Sequence, residues 1–330
     1  MALTCLYWRL IYGVPVVRIG GMSILRIGTR GSELALAQTH QAIAALQAAN
    51  PGLECEIRII STAGDQRTDI PLHQVNAATG TGDKGVFIAA IEEALAAGEV
   101  DCAVHSLKDM PGVLDSRFEL AAVLPREEIQ DVLVVKKPSE HPLIATGSVR
   151  RAHLVHTYWK GAARTVPVRG NVATRLRKLV ESPEVTATLL ARAGLNRLGY
   201  DHDSFAVNGV QLQVQGLPVE EFPPALGQGA IALECRSGDA ATSAMLARVN
   251  HAPTYRCITC ERAFLNLLQA DCSVPVGGYA EMTPDGSLTL HVVHYADAEH
   301  FIRLAETGDD AEEVARRLHG RLLAAGNPVA

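Results

Sequence analysis

A lysine and an aspartate stand side by side in "VHSLKDMP", just after an apolar run that reads as a strand. At the carboxyl end of a strand, Lys108 can pair with an anion. Asp109 can act as acid, base or stabiliser of positive charge. On this segment alone, a surface Lys/Asp pair explains the residues equally well. Three other stretches share a design: "TRGS", "TGSVRR" and "RGNVATR" each place arginine beside small polar residues where a loop opens a helix. Free backbone N–H groups and the helix dipole favour anions there. Guanidinium adds a planar fork that fits carboxylate or phosphate. One such loop is common, but three around one cleft point to a ligand with several acidic groups. Finally, Cys272 lies in "LLQADCSVPVGGYAE", where a helix gives way to a Pro/Gly-rich turn. A thiol in a turn is not a usual core residue, which raises the question of what it holds.

Two further motifs carry less. "CITC" has the spacing of a zinc or redox site. Yet Cys257, Cys260, Phe264 and Leu267 fall on one face of an amphipathic helix, and no second pair stands near, so core packing is expected. "GTGDKG" lacks the gap and the hydroxyl of a phosphate loop and reads as a loop with one useful lysine.

The elements that must position these residues alternate. "ILRIG" reads as a strand, Ser32 caps the helix "ELALAQTHQAIAALQAA", and "CEIRII" is the next strand. After a long polar loop come a helix at "VFIAAIEEALAAG" and a strand at "DCAVH". A second series starts near "DVLVV", with helices at "SVRRAHLVHTYW" and after "RGN", and strands "RTVPV" and "ATLLA". This βα alternation predicts an α/β protein of two similar lobes around a cleft, with ligands at the carboxyl ends of the strands. From about Thr254 the pattern changes to a small α+β unit that carries Cys272.

Composition limits the partners. The chain has 330 residues, 48 % hydrophobic and 20 % charged, with a formal charge of -6. That balance argues against a nucleic-acid binder. The seven cysteines are odd in number and scattered, which suits reduced thiols in the cytoplasm rather than a disulfide framework. No apolar run reaches transmembrane length, so no membrane partner is expected. Residues 1–21 are expected to be a disordered leader or an over-extended start.

Taken in order, "ILRIGTRGSELALAQ", "STAGD", "KGVF", "VHSLKDMP", "TGSVRR", "RGNVATRL", "AGLNRLG", "PALGQGAIALECR", "CERAF" and "DCSVPVGGYAE" resemble the porphobilinogen deaminase (hydroxymethylbilane synthase) family. The resemblance runs from about residue 23 to the end, and an ordered series is far more specific than any one motif. It implies two periplasmic-binding-protein-like α/β lobes plus a small C-terminal α+β domain. The implied division is 22–125 with 220–248, then 126–219, then 249–330.

The resemblance also implies a function. Four porphobilinogen molecules would be deaminated and joined head-to-tail on a covalent dipyrromethane primer, and hydrolysis would release hydroxymethylbilane. Cys272 would carry the primer through a thioether, as an anchor rather than a turnover nucleophile. Asp109 would be the carboxylate near the pyrrole nitrogens. Ser106, Lys108, Thr146, Ser148, Arg150 and Arg151 would contact the cofactor. Arg30, Ser32, Arg169, Arg175 and Arg197 would contact substrate, with Lys84 in a loop over the cleft. Gln38, Asn171 and Gln228 would support them. A cytoplasmic monomer is expected, with motion of the 65–84 loop as the chain grows.

The chain departs from the family pattern in three places. The short link "IGGKG" is the longer "VNAATGTGDKG" here. "GTSSxRR" is "ATGSVRR", so Ala145 and Gly147 replace a glycine and a serine. "GGC" is "ADC", which sets Asp271 beside the anchor, where it would raise the thiol pKa. Two rivals remain at this point. One is a non-catalytic homologue that binds a polycarboxylate. The other is a thiol enzyme with Cys272 as nucleophile and His291 or His294 of "HVVH" as base.

Overall fold

The computed structural model describes residues 24–61, 88–269, 274–297 and 299–326. Strand β1 (Ile24–Thr29) runs into helix α1 (Glu33–Ala49). Ser32 makes the switch, because its extended backbone lets Oγ accept from the Ala35 N–H at 3.3 Å. Gln38, Ala42 and Leu46 recur at four-residue spacing and form the buried face of α1. A leucine buried like Leu46 contributes about 1.5–3 kcal/mol. Then follow β2 (Glu54–Ile59), α2 (Ala89–Ala96), β3 (Cys102–Ser106) and β4 (Phe118–Val123).

The second series is β5 (Asp131–Val135), β6 (Leu143–Ala145), α3 (Val149–Tyr158), β7 (Arg164–Val166), α4 (Val172–Glu181) and β8 (Ala187–Ala191). It continues with α5 (Arg192–Arg197) and the hairpin β9 (Ser204–Val207) and β10 (Val210–Gly216). The chain then returns as β11 (Ile231–Arg236) and α6 (Ala240–Ala247). It ends in α7 (Ala252–Leu267), β12 (Val276–Met282), β13 (Leu288–Tyr295), β14 (Phe301–Gly308) and α8 (Ala311–Ala324).

These strands form three sheets, in the orders β2-β1-β3-β11-β4, β7-β6-β8-β5-β10-β9 and β12-β13-β14. The first two are mixed and carry helices. The third is antiparallel and pairs with α7 and α8. The α/β architecture with a small C-terminal α+β unit is therefore the one expected. In the first sheet β1 is parallel to β2 and β3, while β11 enters antiparallel between β3 and β4.

Two crossing segments join the first two sheets and run side by side: Leu124 N–H donates to Ile231 O at 3.1 Å and Glu127 N–H to Gly229 O at 3.2 Å. Gly229 has φ +89, and a Cβ there would stand 2.5 Å from the Glu127 carbonyl oxygen. Only glycine lets the crossings approach this closely.

Helix α7 ties the third unit to the first. Its Cys257, Cys260 and Phe264 are buried against Leu318 and Leu322 of α8, so the "CITC" spacing serves the core, as expected, but Leu267, read on the same face, is exposed at the helix end and Leu268 is buried in its place. Burial pushes the Cys257 thiol up to about 11 and the Cys260 thiol to about 12, so both stay protonated. On the other side of α7, Ile258 packs with Leu107 and Met110, and Arg262 Nη2 donates to Gly112 O at 3.0 Å.

Candidate active site

Strand β3 ends at Ser106 and a single 3₁₀ turn, Leu107–Asp109, follows. Buried Leu107 and Met110 pin this turn to Ile258, which leaves Lys108 and Asp109 half-buried between them. Ser106 Oγ donates to Gln38 Oε1 at 2.9 Å, which explains the buried glutamine on α1. Lys108 Nζ donates to Gln228 Oε1 at 3.3 Å.

The second sheet answers with arginines. Ser148 caps α3 by accepting from the Arg151 N–H at 3.4 Å, and Thr146 Oγ1 accepts from the Ser148 N–H at 3.2 Å. The cap sets Arg150 and Arg151 in the first turn of α3, both buried. Asn171 caps α4 through the Thr174 N–H at 2.8 Å and places Arg175 one turn in, where its Nε donates to Gly170 O at 2.8 Å. The three arginine loops read from the sequence are thus three capped helix starts.

The two groups are joined through Gln228, whose Oε1 accepts from Lys108 and whose Nε2 donates to Asp131, the partner of Arg150 and Arg151. Burial pushes Arg175 down to about 10, with Arg151 and Arg169 pushing the same way and Asp109 opposing. Burial lowers Lys108 to about 8, helped by Arg151 and Arg150 and opposed by Asp109 and Asp131. Burial and like charge thus act together on Lys108 and Arg175, with Asp109 opposing at both. Excess positive charge in a sheltered cleft suits a ligand bearing several carboxylates.

Arg30 follows β1 and Ser32 caps α1, both half-buried. Arg197 bridges the two units: Nη2 donates to Gly229 O at 2.7 Å and Nε to Gln41 Oε1 at 3.3 Å. Lys84 and Cys272, with Asp271 and the 65–84 loop, lie outside the described residues. His291 pairs with Glu281 at 3.0 Å and stacks on Tyr279, while His294 is buried in β13. Among the described residues no group of three or more His, Cys, Asp or Glu could hold a metal ion.

The structure adds groups that the sequence analysis did not name. Asp131, fully buried at the start of β5, accepts from Arg150, Arg151 and Gln228. Glu261 on α7 accepts from Arg126 Nη1 at 2.5 Å, Gly227 N–H at 2.5 Å and Ala280 N–H at 2.7 Å. An acid before an apolar strand, as Asp131 is, reads as a solvated turn residue, whereas Glu261 lies four residues after Cys257 and three before Phe264, so the helical spacing already put it on the buried face of α7.

Gly147 also gains an explanation. A Cβ there would lie 2.5 Å from the Val168 carbonyl oxygen, so the Thr146–Ser148 loop rests directly on the backbone after β7. Gly147→Ser is expected to overpack this contact and cost about 1–3 kcal/mol. A fall in urea midpoint at unchanged slope would show it; an unchanged midpoint would mean that the loops separate freely.

Comparison with known proteins supplies the family. The model "Porphobilinogen deaminase, dipyromethane cofactor binding domain" matches residues 25–244, and "Porphobilinogen deaminase, C-terminal domain" matches 255–324. A porphobilinogen deaminase of Sphingopyxis alaskensis is 44% identical over 302 residues, covering 88% of this chain and 87% of that protein. One from Shouchella clausii is 39% identical over 308 residues, covering 91% and 94%. The chloroplastic protein of Oryza sativa subsp. japonica is 40% identical over 280 residues, covering 82% and 73%. Among solved structures, an ancestral arginine-binding protein bound to arginine overlays with TM-score 0.35 and 15% identity, covering 69% of this chain and 92% of that one. The fold described above stands on its own sheet topology, not on that overlay. With both models matched in order along one chain, this protein belongs to the porphobilinogen deaminase family.

Proposed function

We infer that this chain deaminates porphobilinogen and joins four units head-to-tail on a dipyrromethane primer, releasing hydroxymethylbilane for tetrapyrrole synthesis. The observation that carries the reading is one chain of contacts between two sheets: Lys108, beside the half-buried Asp109, donates to Gln228, and Gln228 donates to Asp131, which holds Arg150 and Arg151. A dipyrromethane bears an acetate and a propionate on each ring. The donors fit it: cations outnumber the acids, and the hydroxyls of Thr146 and Ser148 stand beside them. When bound, the primer supplies the free pyrrole carbon to which the first incoming unit is joined.

The chain's own residues do the rest. Lys108, Arg150 and Arg151, with Ser106, Thr146 and Ser148, neutralise and orient the primer's acid groups. Arg30, Arg169 and Arg175, with Ser32, do the same for the incoming substrate, whose side-chain carboxylates match guanidinium forks. Arg197 already spans the two units through Nε and Nη2. Asp109 faces the positive charge that develops as porphobilinogen loses ammonia. A preorganised carboxylate in a sheltered site stabilises such a cation and takes up the proton released when the new bond forms. Cys272 is the proposed thioether anchor, and Lys84 the loop contact. The 65–84 loop is proposed to move as the chain lengthens.

Among the described residues, no helix is long and apolar enough to cross a membrane. The scattered cysteines support a reducing, cytoplasmic setting, and a monomer is proposed, to be checked by light scattering. The functional test is incubation with porphobilinogen. One ammonia released per unit consumed, with a linear tetrapyrrole as product, supports the deaminase. Stoichiometric retention without ammonia release supports the binding-protein rival.

A further inference from the structure

The carboxylate of Asp131 has no capacity left for a ligand. Oδ1 accepts from Arg151 Nη2 at 2.7 Å and Gln228 Nε2 at 2.8 Å. Oδ2 accepts from Arg150 Nη2 at 2.8 Å and Arg151 Nε at 3.0 Å. Asp131 is 0% exposed, so it is not placed to touch substrate. Burial alone would raise its pKa, but the two guanidiniums outweigh burial and hold it well below the usual carboxylate range.

Three consequences follow from this geometry. First, Arg150 and Arg151 are adjacent in sequence and 6% and 5% exposed, so without an anion between them they would repel and turn away. Second, one carboxylate against two guanidiniums leaves surplus positive charge, which is what a site for acid groups requires. Third, Asp131 sets the orientation of an amide. Gln228 Nε2 donates to Asp131 and to Ile129 O at 2.7 Å, so Oε1 must face the other way, toward Lys108. The Arg150 fork is also fixed from outside, by Pro223 O at 2.5 Å, and that of Arg151 by Leu189 O at 3.1 Å.

We propose that Asp131 is a positioning residue of this site: it holds Arg150 and Arg151 in one orientation and, through Gln228, places the Lys108 ammonium beside Asp109. This deepens the deaminase reading, and rests on it for what the site binds. The charged groups that face Lys108 are Asp109 and Asp131, which favour its cation, and Arg151 and Arg150, which oppose it. Burial brings the Lys108 ammonium down to about 8, so the charges that face it decide how far it moves. Removing the Asp131 charge leaves the arginines unopposed there, so the lysine gives up its proton at lower pH.

The test uses holoenzymes of Asp131→Asn and Gln228→Leu beside the parent. Two readouts are taken against pH: kcat and KM for porphobilinogen, and competitive acetylation of Lys108 by acetic anhydride, read by peptide mass. In Asp131→Asn the labelling midpoint of Lys108 is expected to fall by about one pH unit, and the alkaline limb of kcat/KM to move with it. Gln228→Leu removes no charge, and a smaller shift in the same direction is expected. If Asp131→Asn does not fold, Gln228→Leu decides by the same readouts. Labelling curves and limbs identical to the parent, with any deficit confined to the melting temperature, would overturn the proposal. The labelling curve does not depend on turnover. A shifted curve in a protein that never releases ammonia would leave the positioning role standing and remove the deaminase reading.

Discussion

Asp109→Asn is expected to lower kcat by about 10²–10³-fold, the loss typical of removing one preorganised charge stabiliser. The substitution keeps the side chain's size and removes only its charge. Fold should be unaffected, because the turn is held by Leu107 and Met110 packed on Ile258 rather than by the carboxylate. KM should change little, since substrate carboxylates are matched by the surrounding cations and not by Asp109. A fall in kcat at constant KM is the signature of a group that acts on the transition state. Normal product formation by the variant would remove Asp109 from the chemistry and return it to the status of a surface partner for Lys108.

The second large effect concerns stability. Glu261 is 0% exposed and joins three parts of the molecule: Arg126 in one crossing segment, Gly227 in the other, and Ala280 on β12. Arg126 in turn donates through Nε to Gln228 O at 2.8 Å, so the same ion pair steadies the residue that faces Lys108. Glu261→Ala is expected to cost about 3–5 kcal/mol, because it strands a buried guanidinium and two backbone N–H groups. That is a large share of the ~5–15 kcal/mol that keeps a domain folded. Glu261→Gln, which retains acceptor capacity, should cost less. Urea unfolding reads the difference, and midpoints within error of the parent for both variants would contradict a buried hub at this position.

Local signals were legible. Ser32 before its helix, the small polar residues opening α3 and α4, and the spacing of Cys257, Cys260 and Phe264 each act within a few residues, and each is found as read. The interactions that assemble the site act across the chain. Asp131 meets partners at positions 150, 151 and 228, and Glu261 meets Arg126 over 135 positions. Asp131 sits in no pattern that announces burial; Glu261 shares the helix face of Cys257 and Phe264, but its partners lie far along the chain. The placement of β11 between β3 and β4 and the β9–β10 hairpin were likewise unread, because pairing is decided by partners far along the chain.

Gly147 illustrates the same limit. From sequence it is a missing hydroxyl, whereas in the fold it is a close approach to Val168 that only a glycine permits. The candidate site residues were named by family resemblance rather than by periodicity. The geometry then shows which of them are committed to one another, with Arg150 and Arg151 paired to Asp131 and Arg197 spanning the two units.

The central claim is that this chain builds its product on a primer held by Cys272. Intact-protein mass tests it most directly, for the purified chain and a Cys272→Ser variant, each measured before and after incubation with porphobilinogen or hydroxymethylbilane. The account expects the parent to carry, or to acquire, an excess of two pyrrole units, with further increments during turnover, and the variant to carry none. A parent whose mass never changes with either compound, or a variant modified like the parent, would contradict it.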